Sequence, residues 1–195
     1  MRGSEGGPRM TLLTTTLLLV ALALGTWALL VFNTLVRLRN QVRTAWADID
    51  VQLQRRHDLV PQLVAAVRAY AGHESALLEA VTALRAQALT QAAPAQLGEL
   101  ENALQLGLGR LFALQEAYPA LKASDNFLQL QRDLVAVEEQ LQYARRFYNG
   151  AVRDYNDATQ RFPDALIARG CGFAGAEFFQ AGAGERRPVK VELSR

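Results

Sequence analysis

One cysteine, Cys171, stands in the 195 residues. It cannot close an internal disulfide, so an oxidised scaffold is excluded. It also lies far from the apolar N-terminal run, which excludes lipid attachment at a cysteine just behind a signal sequence. Histidine is nearly as scarce: His57 and His73 are the two, sixteen residues apart, or about 24 Å on a straight helix, too far to share a metal. His73-Glu74 begins the helical zinc-protease pattern, but the second histidine that pattern needs is replaced by Leu77. An excess of one charge is missing too. Lys and Arg number 21 against 19 Asp and Glu, the signs are interspersed, and no basic stripe with interleaved aromatics marks a nucleic-acid interface. No cofactor is implied by any of this. The most informative gap is local: from Met10 to Val36 there is no Asp, Glu, Lys or Arg.

That uncharged run is where the chain's hydrophobicity concentrates. A bilayer core takes about 20 apolar helical residues, and Thr11 to Phe32 supplies them. A transmembrane helix over 11–32 is therefore expected, with a short extracytoplasmic tail over 1–10. The alternative is a signal peptide with Ala21-Leu22-Ala23 as its cleavage site, releasing a secreted helical domain. The run is longer than such a peptide requires, and it continues through Trp27 and Phe32 into helix-forming sequence without a turn residue. Arg37, Arg39, Arg43, Arg55 and Arg56 follow the span while only Arg2 and Arg9 precede it, which puts the N-terminus outside and the remaining domain in the cytoplasm. Arg37, Arg39 and Arg43 are placed to meet anionic lipid headgroups.

Beyond the span, Leu35, Leu38, Val42, Ala45, Ile49, Leu53, Val60, Leu63, Val67, Tyr70, Leu77, Val81 and Leu84 recur at helical spacing. One long helix is expected to leave the membrane and run out near Gln87. Pro61 interrupts it, since proline lacks an N–H and its ring crowds the carbonyl of His57 four residues earlier. Either the helix kinks near 57–61, or it ends there and a new one starts with Asp58 as its cap. Pro94 opens a further helix with Leu97, Leu100, Leu104, Leu108 and Leu111 on one face. Gly107 and Gly109 inside it point to close backbone approach of a neighbour. Tyr118-Pro119 ends that element.

The clearest period lies further on. Phe127, Leu134, Leu141, Tyr148, Tyr155 and Phe162 fall seven apart, with Leu130, Val137, Ala144, Ala151 and Ala158 in the second seam position. Ser124 or Asp125 caps this helix and Pro163 closes it. Past Pro163 the chain is Gly-rich, with Phe173, Phe178 and Phe179 expected to fold back on the helices, and 183–195 is expected to be extended or disordered.

Several groups invite a functional reading. Gly170-Cys171-Gly172-Phe173-Ala174-Gly175 matches the dinucleotide fingerprint by letter, but no βαβ unit surrounds it, so a helix-terminating glycine loop is expected. Arg55-Arg56-His57-Asp58, at the expected kink, is a candidate partner-docking patch, or else a solvated, salt-bridged turn. The doublets Tyr148-Asn149 and Tyr155-Asn156 form a candidate polar seam, with each Tyr ring in the core, its hydroxyl on a polar partner, and each Asn bonding across a helix pair; a binding groove is the alternative.

The stretches Asn33 to Asn40, Ala45-Trp46 through Val60-Pro61, Tyr70-Ala71-Gly72-His73-Glu74, Tyr118-Pro119-Ala120-Leu121-Lys122-Ala123, the two Tyr-Asn doublets and Phe162-Pro163 closely resemble the LemA family of bacterial membrane proteins. The resemblance runs from about residue 30 to 180. Phe32 departs from a frequent Tyr and Gln54 from a frequent Lys. It implies one N-terminal transmembrane helix and a cytoplasmic antiparallel helical bundle over about 33–182, without assigning a reaction. Relatives in magnetosome-forming bacteria suggest membrane organisation. The expectation is thus an all-α protein of the bacterial cytoplasmic membrane, an anchor followed by an antiparallel bundle of three to four long helices. It would serve as a scaffold for protein partners, with possible self-association, in preference to a metal-dependent or hydrolytic enzyme within the bundle.

Overall fold

A computed structural model describes residues 6–179, with side chains from Thr11 onward. The tail expected at 183–195 lies outside these residues. Six α-helices form among them, and no strand. They are α1 (Gly6–Tyr70), α2 (Ser75–Thr90), α3 (Pro94–Ala113), α4 (Pro119–Lys122), α5 (Asp125–Gln160) and α6 (Asp164–Gly170), with a 3₁₀ turn at Leu114–Glu116 before α4. Two compact units divide the chain: one takes the residues up to Val42 with Arg153–Ala176, the other Arg43–Val152 with the segment from Glu177.

Helix α1 does not break at Pro61. The proline removes the N–H that would have met the His57 carbonyl, and a buried carbonyl without a donor is costly. Arg85 on α2 supplies the donor, its Nε lying 2.7 Å from that oxygen. The helix instead ends at Tyr70, earlier than the apolar period suggested. Ala71 closes the last turn by donating to the Val67 carbonyl, and Glu74 donates to Ala71 across Gly72-His73, which reverses the chain into α2.

The larger unit is a bundle of α1, α2, α3 and α5. Val60, Leu63 and Val67 from α1 share a core with Leu78 and Val81 from α2, Leu104, Leu108 and Leu111 from α3, Leu121 from α4, and Phe127, Leu130 and Leu134 from α5. Neighbours run antiparallel: Trp46 meets Tyr148 while Arg56 meets Glu138, so α5 descends as α1 rises. Gly107 faces α2 so closely that a Cβ there would lie 2.9 Å from Val81 Cγ2, whereas a Cβ at Gly109 would meet nothing within 4 Å. Only the first of the two expected close approaches is present. Ser124 caps α5 by accepting from the Phe127 N–H at 3.4 Å.

The heptad of α5 holds through Tyr155 and then fails: Phe162 lies beyond the helix end and is 80% exposed. Burial also drifts along α5. Ala144 is half-buried while its neighbour Arg145 is buried, as are Val152 and Thr159 seven and fourteen residues on. A helix of 3.6 residues per turn rotates about 20° per heptad against a seven-residue repeat, which moves the buried stripe by one position over several turns.

In the smaller unit, the segment from Thr11 to Leu30 contains Leu12, Leu17, Leu18 and Leu22, all exposed. Its most apolar window has a mean hydropathy of 2.2 and buries none of its residues, and the helix is long enough to cross a membrane. Further along the same unit, Phe173 packs edge-on against Phe32 at 5.7 Å with the Arg39 guanidinium 5.0 Å from its ring centre. Helix α6 ends in a left-handed turn at Gly172, φ +72°, with the Phe173 N–H donating to the Ala168 carbonyl. Such a terminus favours glycine at this position, and it accounts for Gly172 of the dinucleotide-like motif.

Replacing Arg85 by Met should cost about 1–3 kcal/mol, the cost of a stranded buried carbonyl. In a Pro61→Ala background, where residue 61 provides its own N–H, the same change should cost much less. Urea unfolding of the four chains in detergent measures both, and equal costs in the two backgrounds would contradict this account of Pro61.

Candidate functional site

The larger unit contains a charged cluster inside its core. Arg56 and His57, adjacent on α1, are 2% and 4% exposed, and Glu101 on α3 is fully buried. Glu101 divides its two oxygens between them: Oε2 accepts from Arg56 Nη1 at 3.0 Å, and Oε1 lies 2.7 Å from His57 Nε2. Arg56 uses its other fork on Glu138 Oε2 at 2.8 Å, and Gln142 donates to the remaining Glu138 oxygen. Each charge therefore faces an opposite charge or a donor, as burial in a low-dielectric interior requires. A cavity of about 580 Å³ opens beside it, lined by Arg56 and Glu138 together with apolar residues that include Leu106, Phe112 and Val135.

The four expected docking residues thus separate. Arg56 and His57 point into the core, while Arg55 and Asp58 are exposed on the same unbroken helix. No turn, solvated or otherwise, exists at this position. His73 is exposed in the turn before α2, and among the described residues no group of three or more His, Cys, Asp or Glu is placed to hold a metal ion. Arg37 and Arg43 are exposed, whereas Arg39 is partly covered and stacks on Phe173.

The Tyr-Asn doublets both work, but on a different partner from the one expected. In the larger unit, Tyr148 donates its hydroxyl to the Glu177 carbonyl at 2.8 Å. Asn149 grips Phe179 with both ends of its amide, accepting from the Phe179 N–H at 2.9 Å and donating to its carbonyl at 3.0 Å. In the smaller unit, Tyr155 donates to the Ala174 carbonyl at 2.9 Å, and Asn156 accepts from the Ala176 N–H and donates to its carbonyl. The asparagines therefore hold the backbone of an extended segment instead of bonding across a helix pair.

Phe179 is the side chain anchored by the first of these clamps. It is 1% exposed, with Trp46 at 6.1 Å between ring centres and the Arg145 guanidinium 5.0 Å from its own. Trp46 in turn meets Tyr148 edge-on at 5.3 Å. Phe178 beside it remains 46% exposed. Burial, and secondarily the charge of Glu177, push the Tyr148 hydroxyl above the ordinary phenol value.

Glu101, Glu138, Arg85 and Arg145 were not singled out from the sequence. Glu101 alone carried a signal, as a carboxylate four residues after Leu97 and three before Leu104 on the apolar face of α3.

The described residues are all-α, with one exposed apolar helix of membrane length and a bundle braced by internal ion pairs, the make-up of a helical protein of the membrane-associated type. The LemA family matches residues 45–193, most of the chain, and the protein belongs to that family. Magnetosome protein MamQ 2 of Paramagnetospirillum magneticum is 25% identical over 200 residues, covering 89% of this chain and 73% of its own. Magnetosome protein MamQ of Magnetospirillum gryphiswaldense is 23% identical, covering 91% and 74%. Protein LemA of Metamycoplasma hominis is 25% identical over 166 residues, covering 83% and 74%. With the apolar helix, these relatives support a membrane location.

The raised Tyr148 pKa has a definite sign. Protonation keeps the hydroxyl donor that Glu177 needs, so the stabilisation is fully present below about pH 10, the unfolded phenol value, and is lost as pH climbs through the higher folded value. Absorbance titration of the folded protein should show a late tyrosinate step that Tyr148→Phe removes. An unchanged titration curve would contradict the assignment.

Proposed function

We propose that this protein is a membrane-anchored helical scaffold that presents its bundle to protein partners at the bacterial cytoplasmic membrane. The observation that carries this is the leucine-rich surface of α1 over Thr11 to Leu30, exposed on the same continuous helix that enters the bundle core. An exposed apolar surface of that extent calls for lipid. Residues 11–32 form the span, 1–10 the outer tail, and 33–182 the cytoplasmic body, in keeping with the arginines behind the span. Arg37 and Arg43 face anionic headgroups, and Arg55 and Asp58 belong to the surface offered to a partner.

Scaffolding fits the chemistry better than catalysis does. The carboxylates and bases that come together in the core are spent on one another: Glu101 satisfies Arg56 and His57, and Glu138 satisfies Arg56 and Gln142. A catalytic base needs access to a substrate proton, and Glu101 is fully buried.

Alkaline washing of cell membranes tests the anchor. The protein should stay in the membrane pellet, its mass should retain residues 11–32, and protease added to spheroplasts should spare the bundle. Release into the wash as a chain lacking roughly its first two dozen residues would overturn the proposal in favour of a secreted domain.

A further inference from the structure

Helices α3 and α5 leave between them an apolar groove that no described residue fills. Its cavity of about 580 Å³ has Leu106, Phe112 and Val135 in its walls, and Leu106 and Val135 stay exposed. Arg110 on its rim is exposed and has no partner among the described residues. The chain beyond α6 is already heading there. Glu177 and Phe178 lie beside Ala93 and Gln96 at the start of α3, and Phe179 sits against Arg145, which donates to Asn102 further along the same helix. On that line the cavity opens next, between Gly109 of α3 and Glu138 of α5.

We propose that residues 189–193 of the same chain dock in this groove and close it. The family match does not stop at Phe179 but continues to residue 193. Within that stretch, Val189-Lys190-Val191-Glu192-Leu193 alternates apolar with charged residues. An extended backbone puts Val189, Val191 and Leu193 on one face and Lys190 and Glu192 on the other. The apolar face suits the leucine and valine walls, and Glu192 supplies the carboxylate that Arg110 lacks. Reach is ample: the seven helical residues from Arg145 to Glu138 rise about 10 Å, whereas nine residues, 180–188, can span up to about 30 Å. A segment on so short a tether meets the groove at an effective concentration of about millimolar, so a few buried apolar side chains suffice to hold it.

The full chain, purified in detergent with benzoyl-phenylalanine in place of Val191, tests this by photo-crosslinking and mass spectrometry, whatever the anchor does in cells. Crosslinks should map to residues 105–113 and 134–138 of the same chain. Gly109→Leu obstructs the groove, yet a Cβ at Gly109 meets no atom within 4 Å. The bundle should therefore keep its helicity by circular dichroism while the crosslink yield falls on the order of tenfold. Trypsin reads the same contact without a crosslinker: cleavage after Lys190 should quicken on the order of tenfold in Gly109→Leu and equally in Val189→Asp, a change outside the bundle. Unchanged cleavage in both variants overturns the proposal. Crosslinks that join two differently tagged chains, that fall elsewhere on the bundle, or that reach only detergent overturn it as well.

Discussion

The buried pairing of Glu101 with Arg56 and His57 is the constraint on which the larger unit depends. A carboxylate with no exposure at all loses its hydration on folding, and an ion left unpaired there would cost several kcal/mol. Apolar packing tolerates small slides of one helix along another, but this contact does not. Two oxygens on one α3 residue must meet donors on two consecutive residues of α1. A one-residue slip would rotate Glu101 by about 100° away from them. The second fork of Arg56 extends the same demand to α5 through Glu138. Three helices thereby share one register set by charge, and the leucine layers fill in around it.

The same accounting of polar groups recurs wherever the chain departs from plain helical packing. Pro61 frees a carbonyl, and Arg85 from the neighbouring helix satisfies it. The extended residues 174–179 form no ladder with another strand, and the Tyr-Asn doublets supply partners for their backbone. Proline inside a helix and an extended segment beside one are both tolerated for a single reason: a side chain at the right position replaces the missing backbone partner.

Much of this architecture was legible in the residues. The uncharged run from Met10, the seven-residue repeat from Phe127 to Tyr155, and the proline opening α3 each announce an element through one strong local signal. What escaped lacked such a signal or needed a distant partner. The turn at Gly72-His73 lies within a continuing apolar period, so periodicity ran through it. Phe162 keeps the heptad register in sequence, yet the helix has already ended at Gln160. The burial of Arg56 and His57 follows from Glu101, forty-odd residues away, and nothing near residue 56 records it. The doublets were recognised as polar features on a buried face, but heptad spacing by itself suggests another helix, and only the fold shows an extended partner.

Within the larger unit, these features describe a bundle braced from inside. Its buried charges are neutralised in place, its first helix carries an apolar surface suited to lipid, and two Tyr-Asn doublets on α5 grip backbone of the same chain. Family membership and the exposed apolar helix accord with a membrane location. The central claim, that a buried ion pair sets helix register, is tested most directly by a double-mutant cycle on Arg56→Met and Glu101→Leu, with each unfolding free energy measured in detergent. Each single change strands a buried partner and should cost on the order of 3 kcal/mol. The double change should cost clearly less than their sum, leaving a coupling of about 2 kcal/mol or more. Additive costs, with no coupling, would contradict the account.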